Sequence, residues 1–187
     1  MDADGHDLTS ELTARRLLDA LNSDQFVLYC QPIARVNAEA PRMRYVEILV
    51  RFKEEEQLLL PPGSFFPVLE EAGLMPMLDR WVIRQVLRWL KRRRDEAPNQ
   101  PLPRCGVNLN AAALRDRQLA DYVKHELLAS GVSPDNLFFE ISLDDIRAAR
   151  PQFIELAGHL KPLNCGIAVA GFGVGATSLP EIGRAHV

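Results

Sequence analysis

The sequence is poor in cysteine, holds no apolar run long enough to span a bilayer, and carries no basic excess. Each shortage excludes something. The three cysteines are Cys30, Cys105 and Cys165. An odd count without a C-x-x-C pair argues against a disulfide framework or a thiolate zinc site. Each cysteine lies in or beside a β-like run, so a small buried side chain is expected at all three. The four histidines (His6, His125, His159, His186) show no ligand spacing. A net charge of −3 argues against a nucleic-acid footprint, which would be basic. The one basic cluster, Lys91 to Arg94, ends a long helical pattern, where cations favour the helix C-terminus and face water. The acidic N-terminus has no hydrophobic signal core. These exclusions lead us to expect a reduced, cytoplasmic protein with no membrane span and no nucleic-acid partner.

What is present suits a globular domain. Of the 187 residues, 47% are hydrophobic and 25% charged, enough apolar material for a single large core. Helical spacing runs from Leu8 to Leu21. Gln25–Ile33 and Arg42–Phe52 read as strands, and alternation puts Tyr45, Glu47, Leu49 and Arg51 on one face of the second. A turn and short helix follow, with Ser64 as the expected N-cap and Gly73 as terminator. The next pattern, through Arg94, is a strong amphipathic helix whose stripe of Trp81, Val82, Gln85, Val86 and Trp89 suits a core. Then strand and helix alternate: a strand at Arg104–Asn110, a helix from Ala111 to Ser130, a strand at Asn136–Ser142, a helix from Asp144 to Leu160, and a strand at Cys165–Gly171. Strands separated by helices imply a parallel sheet with crossovers, and function at the strands' C-terminal ends.

Those ends carry Gln31, then Glu47 and Arg51, then Asn108, then Glu140, then Ala170 and Gly171. Oxygen ligands converging from separate strands are what Mg²⁺ or Ca²⁺ requires. The plainer alternative is a lone polar residue at each strand edge. The last strand runs into a glycine-rich stretch in which Gly171, Gly173 and Ala176 match a dinucleotide fingerprint. That reading needs a further helix, strand and acidic residue. Only 12 residues follow Gly175, so the βαβ unit cannot be completed.

In order, the chain contains QPI (Gln31 to Ile33), EILVR (Glu47 to Arg51), FFPVLEEAGL (Phe65 to Leu74), DRWVI (Asp79 to Ile83), VNLN (Val107 to Asn110), FEIS (Phe139 to Ser142) and AGFGVGATSL (Ala170 to Leu179). This series resembles the EAL domain family of bacterial cyclic di-GMP phosphodiesterases. The resemblance implies an α/β fold, an EAL-type (β/α)8 barrel variant. It is incomplete here, with the last third of the barrel missing. It divides the chain into a helical lead-in (1–24), a partial barrel (25–181) and a tail (182–187) that does not resemble the family and is expected to be non-native.

By the same resemblance, Glu47, Asn108 and Glu140 match metal ligands, while Gln31, Leu49 and Arg51 match positions lining the dinucleotide site. Active members read D-D-F-G-T-G where this chain has Ala170 and Gly171, so both metal-holding carboxylates are gone. Leu143 replaces a second glutamate after EIS. The expected protein is therefore a catalytically inactive cyclic di-GMP receptor or effector, with no intact catalytic residues. For cofactors, Mg²⁺ or Mn²⁺ at a weakened site is the lesser expectation and none the greater. Two alternatives stand: a regulator that binds a protein partner and no nucleotide, or a weak metal-dependent phosphodiesterase. The third reading would need Asp144 and Asp145 as substitute ligands. Their plainer role is the first turn of a helix.

Overall fold

The computed structural model describes residues 12–33, 45–54 and 58–171. In chain order these form α1 (Ala14–Asn22), β1 (Phe26–Ile33), β2 (Tyr45–Lys53), β3 (Leu59–Leu60), α2 (Pro62–Glu71), α3 (Met75–Glu96), β4 (Arg104–Leu109), α4 (Ala111–Arg115), α5 (Leu119–Ser130), β5 (Leu137–Ser142), α6 (Leu143–Ala148), α7 (Arg150–Leu160) and β6 (Gly166–Ala170). The strands form one sheet ordered β1-β2-β4-β5-β6, with β3 beside the end of β2. Strands β2, β4, β5 and β6 are parallel neighbours joined by helical crossovers. Among the described residues, no helix is long and apolar enough to cross a membrane.

Strand β1 departs from the expected parallel arrangement. It runs antiparallel to β2, pairing Gln31 with Glu47 and Phe26 with Phe52. A parallel crossover takes a dozen or more residues, usually with a helix. Only the 11 residues 34–44 join these two strands, which favours the antiparallel return.

Three helical expectations also change. The run Ala111–Ser130 is two helices, because Asp116 is extended (φ −80°, ψ 94°) and its carboxylate instead accepts from the Gln118 amide. The run Asp144–Leu160 breaks at Ala149 (φ −137°, ψ 43°), just ahead of Pro151, which lacks the N–H a continuous helix would use. Ser64 lies inside α2, whose N-cap is Pro61. Gly73 does terminate that helix, at φ +67°.

The two sheet faces differ. The outer face carries Val46, Ile48 and Phe52, then Cys105, Val107 and Leu109, then Leu137, Phe139 and Ile141, all buried under helices. Phe26, Phe52, Phe65 and Trp81 meet there, with Phe26 ring centroids 5.2, 5.4 and 5.8 Å from the other three. These separations are within the favourable aromatic range. Helix α3 is fastened to its neighbours by arginines. Arg80 bonds Asp116 at 2.7 Å, Arg84 bonds the Tyr122 hydroxyl at 3.1 Å, and Arg94 donates to the Gly131 carbonyl at 2.6 Å. Two of the three cysteines, Cys105 and Cys165, are buried as expected, whereas Cys30 is exposed on β1, which pairs with β2 alone among the described residues.

Candidate functional site

Alternation in β2 sends Tyr45, Glu47, Leu49 and Arg51 to the inner face, opposite the buried outer row. Register extends that face across the sheet. Gln31 and Gly106 flank Glu47, Asn108 pairs with Glu140, and Glu140 pairs with Ala168. Thus Gln31, Glu47, Asn108 and Glu140 share one face, as the sequence implies. Their depth differs from expectation. Glu47 is the third residue of β2 and stands level with Gly106, while Asn108 sits two residues further on. The Asn108 amide reaches back and donates to Glu47 Oε1 at 3.0 Å.

Glycine at 106 opens the room for this cluster. A Cβ there would stand 2.1 Å from Glu140 Oε1 and 2.6 Å from the Phe138 ring. Sequence reasoning passed over Gly106, although a glycine inside a strand often marks a close approach. Below it, Arg104 stacks on Tyr45 (5.3 Å) and donates to the Tyr45 hydroxyl at 3.0 Å, which closes the floor with Phe138.

The electrostatics centre on Glu140, whose Oε1 is buried with no hydrogen-bond partner among the described residues. Burial, and secondarily the Glu47 carboxylate, push the Glu140 carboxyl above its ordinary range. Arg51 stands four residues beyond Glu47, about 13 Å along the strand, and its guanidinium donates to the Val50 carbonyl at 2.8 Å. Leu49 lies between them, opposite Tyr29.

The other predicted positions fall around this cluster. Ala170 ends β6, paired with Ser142, and Gly171 follows at φ +72°. The rest of the glycine-rich stretch lies outside the described residues. Leu143 is buried as the first residue of α6. Asp144 and Asp145 occupy the first turn of α6. The Asp145 amide donates to Ser142 Oγ at 3.0 Å, and that hydroxyl donates to Asp145 Oδ2 at 2.6 Å. Asp144 pairs with Arg147. Both aspartates are thus engaged in their own helix.

A pair of divalent ions held about 3.5–4 Å apart requires bridging carboxylates. The strand ends supply Glu47, Glu140 and a neutral amide. Among the described residues, no group of three or more His, Cys, Asp or Glu is placed to hold a metal. Among the described residues the donor set does not fit a two-ion centre, though the orphaned Glu140 oxygen and Glu47 would both attract a cation.

Comparison with known proteins gives a consistent picture. The EAL domain family model matches residues 14–187. The chain is 31% identical over 167 residues to the cyclic di-GMP phosphodiesterase PdeF of Escherichia coli K12, covering 89% of this chain and 21% of that protein. It is 34% identical over 169 residues to the cyclic di-GMP phosphodiesterase NbdA of Pseudomonas aeruginosa PAO1, covering 90% and 21%. The chain therefore spans about a fifth of the length of these curated relatives. Among solved structures, the PaMucR phosphodiesterase in complex with c-di-GMP superposes with a TM-score of 0.78 at 27% identity, covering 91% of this chain and 67% of that one. The FimX EAL domain of Pseudomonas aeruginosa bound to c-di-GMP gives 0.77 at 28%, covering 90% and 64%.

Proposed function

This chain belongs to the EAL domain family, and on that premise we propose that it is a cyclic di-GMP receptor module with negligible phosphodiesterase activity. One observation carries the reading. The inner face keeps a ring of polar residues from adjacent strands, Gln31, Glu47, Asn108 and Glu140, while the neighbouring strand ends in Ala170 and Gly171. The solved relatives with c-di-GMP bound support the ligand.

The chemistry separates binding from turnover. Arg51 offers a rigid fork of donors for a phosphate, and Gln31 offers an amide for a base or ribose. The two lie on adjacent strands of the open face, Gln31 level with Glu47 and Arg51 four residues further along β2. Leu49 supplies apolar surface between them. None of these contacts needs a metal.

Hydrolysis asks for more. A bound divalent metal pair would polarise the phosphate and activate the attacking water. Here Glu47 and Glu140 would face that charge without the aspartates that family members have at positions 170 and 171. Loss of an outer-sphere partner alone typically costs 10–100-fold, so loss of two direct ligands costs more. Asp144 and Asp145 do not replace them, since their carboxylates serve α6.

The test is calorimetric titration of cyclic di-GMP into the protein with Mg²⁺ present, followed by chromatography of the same sample for the linear dinucleotide. Binding without product is expected, and Arg51→Ala should abolish the heat. Linear product would overturn the inactive assignment. No binding by demonstrably folded protein would leave a regulator that acts through protein contacts alone.

A further inference from the structure

Arg115 and Arg117 stand where two neighbouring crossovers meet. The first crossover, α4 and α5, joins β4 to β5, and the second, α6 and α7, joins β5 to β6. Both α4 and α5 pack on α7. Between them lies a cleft of about 280 Å³, given apolar surface by the buried Leu114 and Leu156. Its walls are helices of the outer layer, all belonging to connections between adjacent strands of the sheet.

The polar lining is unevenly satisfied. Arg115 and Arg117 line the cleft, are exposed, and form no ion pair or hydrogen bond among the described residues. By contrast, Arg80, Arg84 and Arg94 of α3 all have partners. Asp116 does not offset the two free guanidiniums. Its carboxylate accepts from Arg80 at 2.7 Å and from the Gln118 amide at 3.0 Å. Neither α5 nor α7 has a side-chain N-cap, and Ala120 and Gln152, the second and third residues of those helices, line the cleft. Guanidiniums beside the first-turn amides of two helices favour an oxyanion. One charge opposes it, the Glu155 carboxylate on the α7 wall. A carboxylate is an acceptor for hydroxyl donors, so Glu155 suits a ligand that is anionic at one end and hydroxylated at the other.

We propose that this cleft binds a small phosphomonoester bearing hydroxyl groups. Its phosphoryl group would meet Arg115 and Arg117, and its hydroxyls would meet Glu155 and Gln152. The volume stands near the lower end of small-molecule sites, which run to about 300–1,000 Å³, and so suits a compact ligand rather than a dinucleotide. The cleft lies among the outer helices, whereas Glu47 and Arg51 lie on the inner face of the sheet, so it is independent of the nucleotide reading.

Calorimetric titration at constant ionic strength tests this, with inorganic phosphate and glucose 6-phosphate as probes and chloride as the matching salt. Glucose 6-phosphate should bind more tightly than phosphate. The double variant R115Q/R117Q should weaken both by about tenfold or more. Both side chains are exposed, so the fold should persist, and the urea midpoint checks that it does. R88Q/R92Q removes two exposed arginines of α3 that lie outside this cleft and should bind as the parent does. E155Q leaves the arginines untouched. It should tighten inorganic phosphate about two- to fivefold and narrow the margin between the two probes. Saturating cyclic di-GMP should leave both affinities unchanged. No binding of either probe, equal affinity for the two, or equal losses in R88Q/R92Q and R115Q/R117Q overturns the proposal. So does displacement of the probes by cyclic di-GMP, which would place them on the inner face.

Discussion

Replacing Gly106 by alanine tests the packing beneath the site. The added Cβ would stand 2.1 Å from Glu140 Oε1 and 2.6 and 2.7 Å from two Phe138 ring carbons. Glu140 can swing, since its oxygen ends a flexible chain. The Phe138 ring cannot easily, because it is 8% exposed and packs against Tyr45 at 6.0 Å between centroids. Overpacking of this kind costs about 1–3 kcal/mol. For a domain of this size each kcal/mol shifts Tm by about 2–4 °C, so Gly106→Ala should lower Tm by about 2–12 °C. Gly158→Ala is the control. Gly158 lies inside α7 with nothing within 4 Å of where an alanine methyl would stand, and the change should gain about 1 kcal/mol from helix propensity. Thermal and urea unfolding of both variants measure the difference. In a double-mutant cycle with Phe138→Ala, the two changes should be less damaging together than their sum. A Gly106→Ala protein as stable as the parent, or strict additivity in the cycle, would refute the steric reasoning.

Other predictions follow from single groups. Asp79 is buried with Oδ2 unpartnered among the described residues, and burial, with help from Asp116, pushes its carboxyl up to about 7. The native state then keeps a proton that the unfolded chain releases, so stability is full at acid pH and falls as pH rises from about 4 through 7, by up to about 4 kcal/mol at 1.36 kcal/mol per pH unit. Asp79→Asn should flatten that decline in urea unfolding between pH 5 and 8; an unchanged slope would assign it to other groups. Glu140→Gln should likewise stabilise the protein more at neutral than at acid pH, since burial and Glu47 both oppose its charge. Ser142→Ala removes the cap of α6 and should cost about 0.5–2 kcal/mol, read as a lower urea midpoint. Tyr122→Phe deletes a hydroxyl that donates to the Arg80 carbonyl and accepts from Arg84, at a cost of about 1 kcal/mol or more in the same assay.

The five longer strands in order, the inner-face residues of β2 and the family were legible in the sequence. Alternation is a local property, so Tyr45, Glu47, Leu49 and Arg51 had to share a face once β2 formed. That positions 170 and 171 hold alanine and glycine, with no carboxylate, is likewise read directly from the sequence. Tertiary structure decided what depends on who lies next to whom. The antiparallel return of β1 placed Gln31 opposite Glu47 and left Cys30 exposed. Register set Glu47 level with Gly106, and so made that glycine the space for Glu140. Asp116 and Pro151 ended helices that periodicity would have continued, because a local hydrogen bond and a missing N–H outweigh an apolar stripe. The uneven burial of Trp81 and Trp89 has the same origin: periodicity assigns a residue to a face, but only the packing of neighbouring elements determines how much of that face is covered.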